Sequence, residues 1–418
     1  MEWKEAANIE EMEQVLLPQP LIPSGISKKN PEEIKVLLGL SGGVDSAVAA
    51  WVLKEQGFDV TCCFMRNWDS FANNDVAGNP DLLNSVCPQE QDYQDAQAVA
   101  DKLGLELLRV DFVREYWDDV FSVFLKEYEK GRTPNPDILC NQFIKFDAFY
   151  HFAMDHGFDA IATGHYCSSQ AADDFTFLRR AADLNKDQTY FLAQVDEEPL
   201  SKTLFPLGSL IKPQVRKIAQ MLELDSVSAK KDSTGICFIG ERNFRQFLSN
   251  YLPAKEGDIV DLESQTILAR HQGVLYYTIG QRKGLNITAH KGPWFVAGKD
   301  VAANRLYVAR TDHREWLDSD SALIENINWI VPEGYRFPEN CTVKFRYRQK
   351  DIPAKLEVDG TSARVYYPQK SAAVTPGQEA VFYDGEFCLG GGVIEKVFIG
   401  EEDLFEKIRK KGAGECNG

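Results

Sequence analysis

From Ile34 to about residue 240 the apolar positions alternate between two rhythms. IKVLLGL (34–40), DVTCCFM (59–65), LELLRVDF (105–112) and DAIATGHY (159–166) are short apolar runs with the make-up of buried strands. Between them SAVAAWVLKEQGF (46–58), QDYQDAQAVADKLG (91–104), REYWDDVFSVFLKEYEKG (114–131), CNQFIKFDAFYHFAMDHGF (140–158) and KPQVRKIAQMLEL (212–224) place apolar residues at helical spacing. Strand and helix in alternation predict an α/β domain with a doubly wound parallel sheet over residues 34–240. Beyond it the helical rhythm fades. RLYVAR, SALIENINWI, CTVKFRYR, AKLEVDG, SARVYYP and EAVFYDGEFCLGGGVI are short β-type runs broken by Gly, Pro, Asp and Asn. They predict a C-terminal antiparallel β-barrel over 313–400, with 241–312 as a small mixed connecting module. Residues 1–33, acidic and interrupted by Pro18, Pro20, Pro23 and Pro31, read as a poorly packed leader, and residues 401–418 as a frayed tail.

Composition narrows the class. The chain has 418 residues, 44% hydrophobic and 26% charged, enough for two or three domains with their own cores. No window approaches the ~18 apolar residues of a membrane span. Nine cysteines, odd in number and never spaced CxxC, argue against a paired zinc site and against a secreted disulfide framework. Free thiols in a reducing compartment fit better. The N-terminus has no apolar signal core and carries acids where a mitochondrial import peptide carries arginines, so the cytosol is the expected compartment, with mitochondria the alternative for a eukaryotic source. Charge is the odd feature: 46 Lys and Arg against 63 Asp and Glu give −17, the wrong sign for a nucleic-acid binder when taken over the whole chain.

Three motifs carry chemistry. LSGGVDSA (40–47) stands where the first strand turns into the first helix. Its two glycines let backbone approach a phosphate, and the helix start adds unpaired N–H groups and a favourable dipole. Ser41 and Ser46 add donors, and Asp45 can hold a magnesium ion on the phosphates. No GxxxxGK[ST] loop occurs, which disfavours simple γ-phosphate hydrolysis. SGGxDS in this setting resembles the phosphate loop of the N-type ATP pyrophosphatases, which implies transfer of AMP to a substrate oxygen. In GRTPNPDILCNQFIKF (131–146), Cys140 stands near a helix start, where a thiol loses its proton more readily, although it could equally be core filler. KKDSTGICFIGERNF (230–244) sets Cys237 among Lys230, Lys231 and Arg242, which favour a thiolate.

MRNW (65–68), GRTPNPDILCN, ATGHY (162–166), NKDQTYFL (185–192), DSTGICFIGER, YYTIGQRKGL (276–285), FRYRQKDIP (345–353) and TPGQEAVFYDGEFCLGGGVI (375–394) together resemble the tRNA 2-thiouridylase family, from about Ile34 to about Val397. The resemblance implies an enzyme that uses ATP and Mg2+ to put sulfur on C2 of the wobble uridine of tRNA. It assigns Gly39, Leu40, Ser41, Gly42, Gly43, Val44, Asp45 and Ser46 to the ATP phosphates, and Met65 and Gly164 to the adenosine side. Asn135, Pro136 and Asp137 would face the target base, with Asp137 as acid/base. Cys237 would carry a persulfide, and Cys140 would complete the transfer, leaving a Cys140–Cys237 disulfide. His165, Lys186, Asp187, Gln188, Arg346, Tyr347 and Gln378 would contact tRNA, as would the 241–312 module. The implied partners are tRNAs for Lys, Glu and Gln and an upstream cysteine desulfurase or sulfur carrier, with no membrane. The rival reading is an ATP pyrophosphatase that adenylates a small molecule for nitrogen transfer; it needs no thiol pair. A non-catalytic RNA-binding module is opposed by the intact loop and both cysteines. The net charge is a sum over the chain, whereas KFRYRQKDIPAK (344–355) holds five bases and one acid, so RNA contact is expected on local basic strips.

Overall fold

In the computed structural model the chain is described except for residues 1–3, 5, 7, 29, 76–78, 80–87, 173, 229, 231–242, 254, 289–291 and 415–418. Cys237, with Lys231 and Arg242, lies outside the described residues.

Strands β1 (Lys35–Gly39), β2 (Asp59–Arg66), β3 (Glu106–Asp111), β4 (Ala160–Ala162) and β7 (Thr203–Leu204) form a parallel sheet in the order β3–β2–β1–β4–β7. Because successive side chains of β1 point to opposite faces, Leu37 enters one core while Val36 and Leu38 enter the other. The second core is closed by α2 (Val44–Glu55), α3 (Pro88–Leu103) and the helix Lys212–Met221. Two long helices, residues 113–129 and 136–155, close the first core. Both contain a widened π segment, Tyr116–Phe121 and Cys140–Ala148. The doubly wound sheet is therefore as expected.

A four-stranded mixed sheet follows, built from β8 (Gly257–Asp261), β9 (Ile267–His271), β10 (Trp294–Asp300) and β11 (Arg305–Arg310). RLYVAR is β11 and belongs to this sheet, beside β8, rather than to the barrel. The barrel consists of β12 (Asp318–Trp329), β13 (Cys341–Lys344), β14 (Ile352–Asp359), β15 (Ser362–Ala372), β16 (Glu379–Asp384) and β17 (Phe387–Ile399), all antiparallel neighbours. It closes because β12 pairs with both β15 and β17. The Gly390–Gly391–Gly392 run lets these backbones approach: a Cβ on Gly390 would stand 1.9 Å from the Asn328 carbonyl oxygen.

The sheet does not stop at the domain boundary. The hairpin of β5 (Cys167–Ala172) and β6 (Phe175–Arg180), which follows β4 in the parallel-sheet domain, adds to the barrel through Phe387↔Arg179 and Cys388↔Leu178.

Both chain ends differ from expectation. In the leader, α1 (Ile9–Leu16) is capped by the Asn8 side chain, which accepts from Glu11 N at 2.8 Å, and Met12 is fully buried. In the tail, Leu404–Gly412 is helical and buries Leu404 and Ile408. Prolines and charge signalled loose ends, yet one apolar residue per turn was enough to seat each helix. Among the described residues, no helix is long and apolar enough to cross a membrane.

Candidate active site

Open parallel sheets bind ligands beyond the carboxyl ends of their strands, where loops and helix starts converge. Here β1 ends in the glycine loop and α2 begins at Val44 with Gly43 as its cap residue, and no side chain occupies the cap position. Ser41 N donates to Ser46 Oγ at 3.1 Å, and Ser46 Oγ donates to Gly43 O at 3.2 Å, so the loop is folded on itself. Gly42 has φ +70° and packs so tightly on helix α3 that a Cβ would lie 2.3 Å from Asp92 O. Gly43 is different: its Cβ position meets nothing closer than Ser41 Oγ at 3.4 Å. That open backbone at a helix start is the shape a phosphate requires.

Asp45 is held by two residues the motif reading did not include. Lys212 Nζ donates to its two carboxylate oxygens at 2.7 and 2.8 Å, and Tyr166 OH donates at 2.8 Å. Lys212 is the first residue of its helix, where the dipole disfavours a cation, and that misplaced charge was the available signal. Lys230 donates to Gly42 O, Asp92 and Asp95. Burial alone would lower its ammonium, but the two aspartates overcome burial and raise it.

The segment Thr163–Tyr166 links this loop to the cysteine helix. Gly164 lies against the first turn of α2, with its Cβ position 2.9 Å from Ser46 N. His165 is buried; Lys145 Nζ approaches Nε2 at 3.4 Å, and Nδ1 faces Thr163 Oγ1 at 2.8 Å. Burial, and then the Lys145 ammonium, hold this imidazole well below its ordinary range, so it is neutral at physiological pH. Met65 packs at the end of β1, its Cε 2.9 Å from the position of a Gly39 Cβ.

The helix over 136–155 begins with Pro136 at its first turn, and Asn135 Oδ1 caps it by accepting from Asp137 N at 3.1 Å. Cys140 therefore lies one turn inside the helix and is buried. Asp137 and Cys140, three residues apart, share a helix face. Burial raises the Asp137 carboxyl and Lys145 partly opposes that, which favours a carboxyl able to hold a proton. Asn141, beside Cys140, donates from Nδ2 to Phe191 O at 2.9 Å.

The expected RNA-contact residues sort into two kinds. Asp187 is buried: its carboxylate accepts from Thr189 Oγ1 at 2.8 Å and from Ala181 N at 3.2 Å, and it organises its own segment. Gln188 Oε1 accepts from Tyr166 N at 2.9 Å. Lys186 is half-buried, and its carbonyl oxygen accepts from Tyr347 OH at 3.3 Å. Arg346 and Tyr347 lie in the turn after β13, not in a strand as their sequence suggested. Arg346 donates to Ala373 O at 2.8 Å and to Ile279 O at 3.2 Å, tying the barrel to the middle module. Tyr347 packs on Phe191 at 4.4 Å between ring centres. Gln378 donates to Thr133 O, and Thr133 N to Pro376 O at 3.2 Å, so the barrel grips the strand-like stretch that leads into Asn135.

A folded glycine loop beyond the carboxyl end of the central strand, its carboxylate–ammonium pair and the neighbouring thiol helix are the features of an α/β enzyme of the ATP pyrophosphatase-loop type. Three family profiles match in order: a tRNA methyl transferase HUP domain over 34–241, a tRNA methyl transferase PRC-barrel domain over 245–310, and an aminomethyltransferase β-barrel domain over 319–394. The chain is 52% identical over 373 residues to the tRNA-specific 2-thiouridylase MnmA of Mycoplasma capricolum, covering 87% of this chain and 99% of that one. It is 53% identical over 376 residues to the same enzyme of Acholeplasma laidlawii, covering 89% and 99%. A solved U34-tRNA thiolase, NcsA from Methanococcus maripaludis, overlaps 54% of this chain and 66% of its own at 17% identity and a TM-score of 0.31. This chain belongs to the tRNA-specific 2-thiouridylase family.

Proposed function

We propose that the chain thiolates C2 of the wobble uridine of tRNA, using ATP to activate the C2 oxygen. The observation that supports this reading is the contact of the Thr163–Tyr166 segment both with the glycine loop, at Asp45 and Ser46, and with Lys145 of the helix that carries Asp137 and Cys140. The uridine oxygen attacks the α-phosphorus and diphosphate leaves. Loop N–H groups and the α2 dipole stabilise the departing charge. Asp45, 35% exposed on its side chain, retains an open carboxylate face, the donor a magnesium ion takes when phosphate and water supply its other ligands. Bound there, the ion would neutralise diphosphate charge. A persulfide on Cys237 attacks C2, and AMP departs with the former oxygen. Cys140 thiolate then attacks the Cys237 sulfur, and the released electron pair stays with the sulfur on the base. The resulting disulfide requires an external thiol reductant. Asn135, Pro136 and Asp137 face the base, and tRNAs for Lys, Glu and Gln are the expected substrates, with a desulfurase or sulfur carrier loading Cys237. The cytosol is the proposed compartment.

The test combines purified chain, ATP, magnesium, a persulfide donor and unmodified tRNA, followed by nucleoside mass analysis. Expected is 2-thiouridine with one AMP per base, abolished by Cys140→Ser and by Cys237→Ser. A methylated base, or full activity in both serine variants, would overturn the reading.

A further inference from the structure

The stretch that precedes β1 lies outside all three matched family profiles, the first of which begins at residue 34. It nevertheless touches both α2 and the helix that carries Lys212, just past the end of the first and midway along the second. Helix α2 presents Asp45 in its first turn and ends at Glu55; just past it, Gln56 Nε2 donates to Pro18 O at 2.9 Å. We designate as α6 the helix Lys212–Met221, which presents Lys212 as its first residue; later on it, Lys217 Nζ donates to Lys4 O and Ala6 O, both at 2.9 Å. Between these two anchors α1 packs on α6, with Met12 in the same core as Val48, Val52, Val215 and Ile218. Beyond Pro18 the stretch stays fastened: Gly25 N donates to Ser201 O at 2.8 Å, and Lys28 pairs with Asp159 at 2.8 Å.

At their other ends the same two helices, which also pack directly on each other in the shared core, are joined by the bidentate bond from Lys212 to Asp45. A helix transmits displacement along its axis because its backbone bonds are stiff. Holding the end of α2 and the middle of α6 relative to each other therefore adds to their direct packing in setting the spacing of Asp45 and Lys212. Met12 is the pivot of this arrangement: it is fully buried, and Ala6 beside it is nearly so.

We infer that the described residues between 4 and 28 form a strap that helps set the geometry of the ATP loop by clamping α2 and α6 together, so that Met12 and Lys217 act as positioning residues for ATP. For its consequence in catalysis this inference rests on the loop being the ATP site; its mechanical part does not.

The experiment uses the full chain and three substitutions. Met12→Asp removes the apolar pivot, Met12→Leu preserves it, and Lys217→Met deletes only the ammonium that holds Lys4 and Ala6. Below the unfolding temperature of each variant, hydrogen exchange by mass spectrometry reports on residues 39–47, and thiolation kinetics report KM for ATP and for tRNA separately. Met12→Asp and Lys217→Met are expected to speed exchange of the loop and to raise KM for ATP by about three- to tenfold. KM for tRNA should stay unchanged, and Met12→Leu should match the wild type in both readouts. Unchanged loop exchange in folded Lys217→Met would overturn the strap, whatever the activity. A wild-type chain that does not use ATP would overturn the assignment of the loop, while exchange would still decide the strap.

Discussion

Replacing Lys212 by methionine tests how the ATP loop is held. The substitution keeps the aliphatic stem and deletes the ammonium that donates to Asp45 at 2.7 and 2.8 Å. Asp45 then keeps the Tyr166 hydroxyl at 2.8 Å and whatever water reaches it. Breaking a buried ion pair by removing one partner costs about 3–5 kcal/mol, whereas an exposed pair contributes about 0–1 kcal/mol. The Lys212 side chain is 9% exposed and that of Asp45 is 35%. The stability loss should fall between those limits, at about 1–2 kcal/mol, because solvent screens one partner only. The functional loss should be larger. The same ammonium stands at the mouth of the phosphate loop, and deleting one donor aimed at developing charge typically costs about 10²-fold. Steady-state thiolation against ATP concentration, beside denaturant unfolding of the same preparations, separates the two effects. Lys212→Arg should recover part of the activity. A Lys212→Met enzyme within about twofold of wild-type kcat/KM for ATP would refute the argument and leave Lys212 as a counter-ion only.

Three other substitutions have definite expected outcomes. Gly43→Ala places a methyl where nothing lies closer than 3.4 Å and φ is −108°, so stability should stay within about 0.5 kcal/mol while KM for ATP rises about tenfold. Gly42→Ala, at φ +70° and 2.3 Å from Asp92 O, should by contrast lose about 1–3 kcal/mol of stability; equal behaviour of the two variants would refute phosphate at Gly43. Glu379, buried where β16 meets the 185–194 segment, has its carboxyl raised by burial to about 7 from an ordinary 4.5, with Gln194 opposing. The folded chain holds that proton more tightly, so its contribution is complete below pH 4.5 and is lost as pH rises toward 7. Glu379→Gln should therefore match the wild type near pH 4.5 and exceed it by about 2–3 kcal/mol at pH 8. A difference in urea midpoints that does not grow between pH 5 and 8 would contradict this.

What could be read along the chain was local. The glycine loop, the strand–helix alternation and the short β runs depend on neighbours within a few residues, and they were legible. The partners of Asp45 were not, because Lys212 and Tyr166 are separated from it by 167 and 121 positions and reach it only through the fold. Barrel closure by β12 on β17 and the seating of Arg346 in a turn depend on the same long-range pairing. The leader misled for a different reason. Its prolines and acids reported an exposed face truthfully, while the single buried methionine that seats α1 carries almost no weight in a composition count. Within the 344–355 strip, two of the five bases also hold the barrel, Lys344 by pairing with Asp351 and Arg346 by donating to Ala373 O. Arg346, Arg348, Lys350 and Lys355 are exposed there.

The β5–β6 hairpin bears on how such a chain can be divided. It is inserted in the first domain by order of residues, yet its second strand, β6, is hydrogen-bonded to β17 as a rung of the barrel wall. A gene cut between the first two modules would leave two unpaired strand edges, one on each fragment, each a template for pairing with another molecule. Expressed separately, the pieces should therefore precipitate or self-associate rather than behave as two soluble domains. Exchange of barrels between relatives would have to carry the hairpin along, so the unit of inheritance here crosses the line at which the domains are drawn.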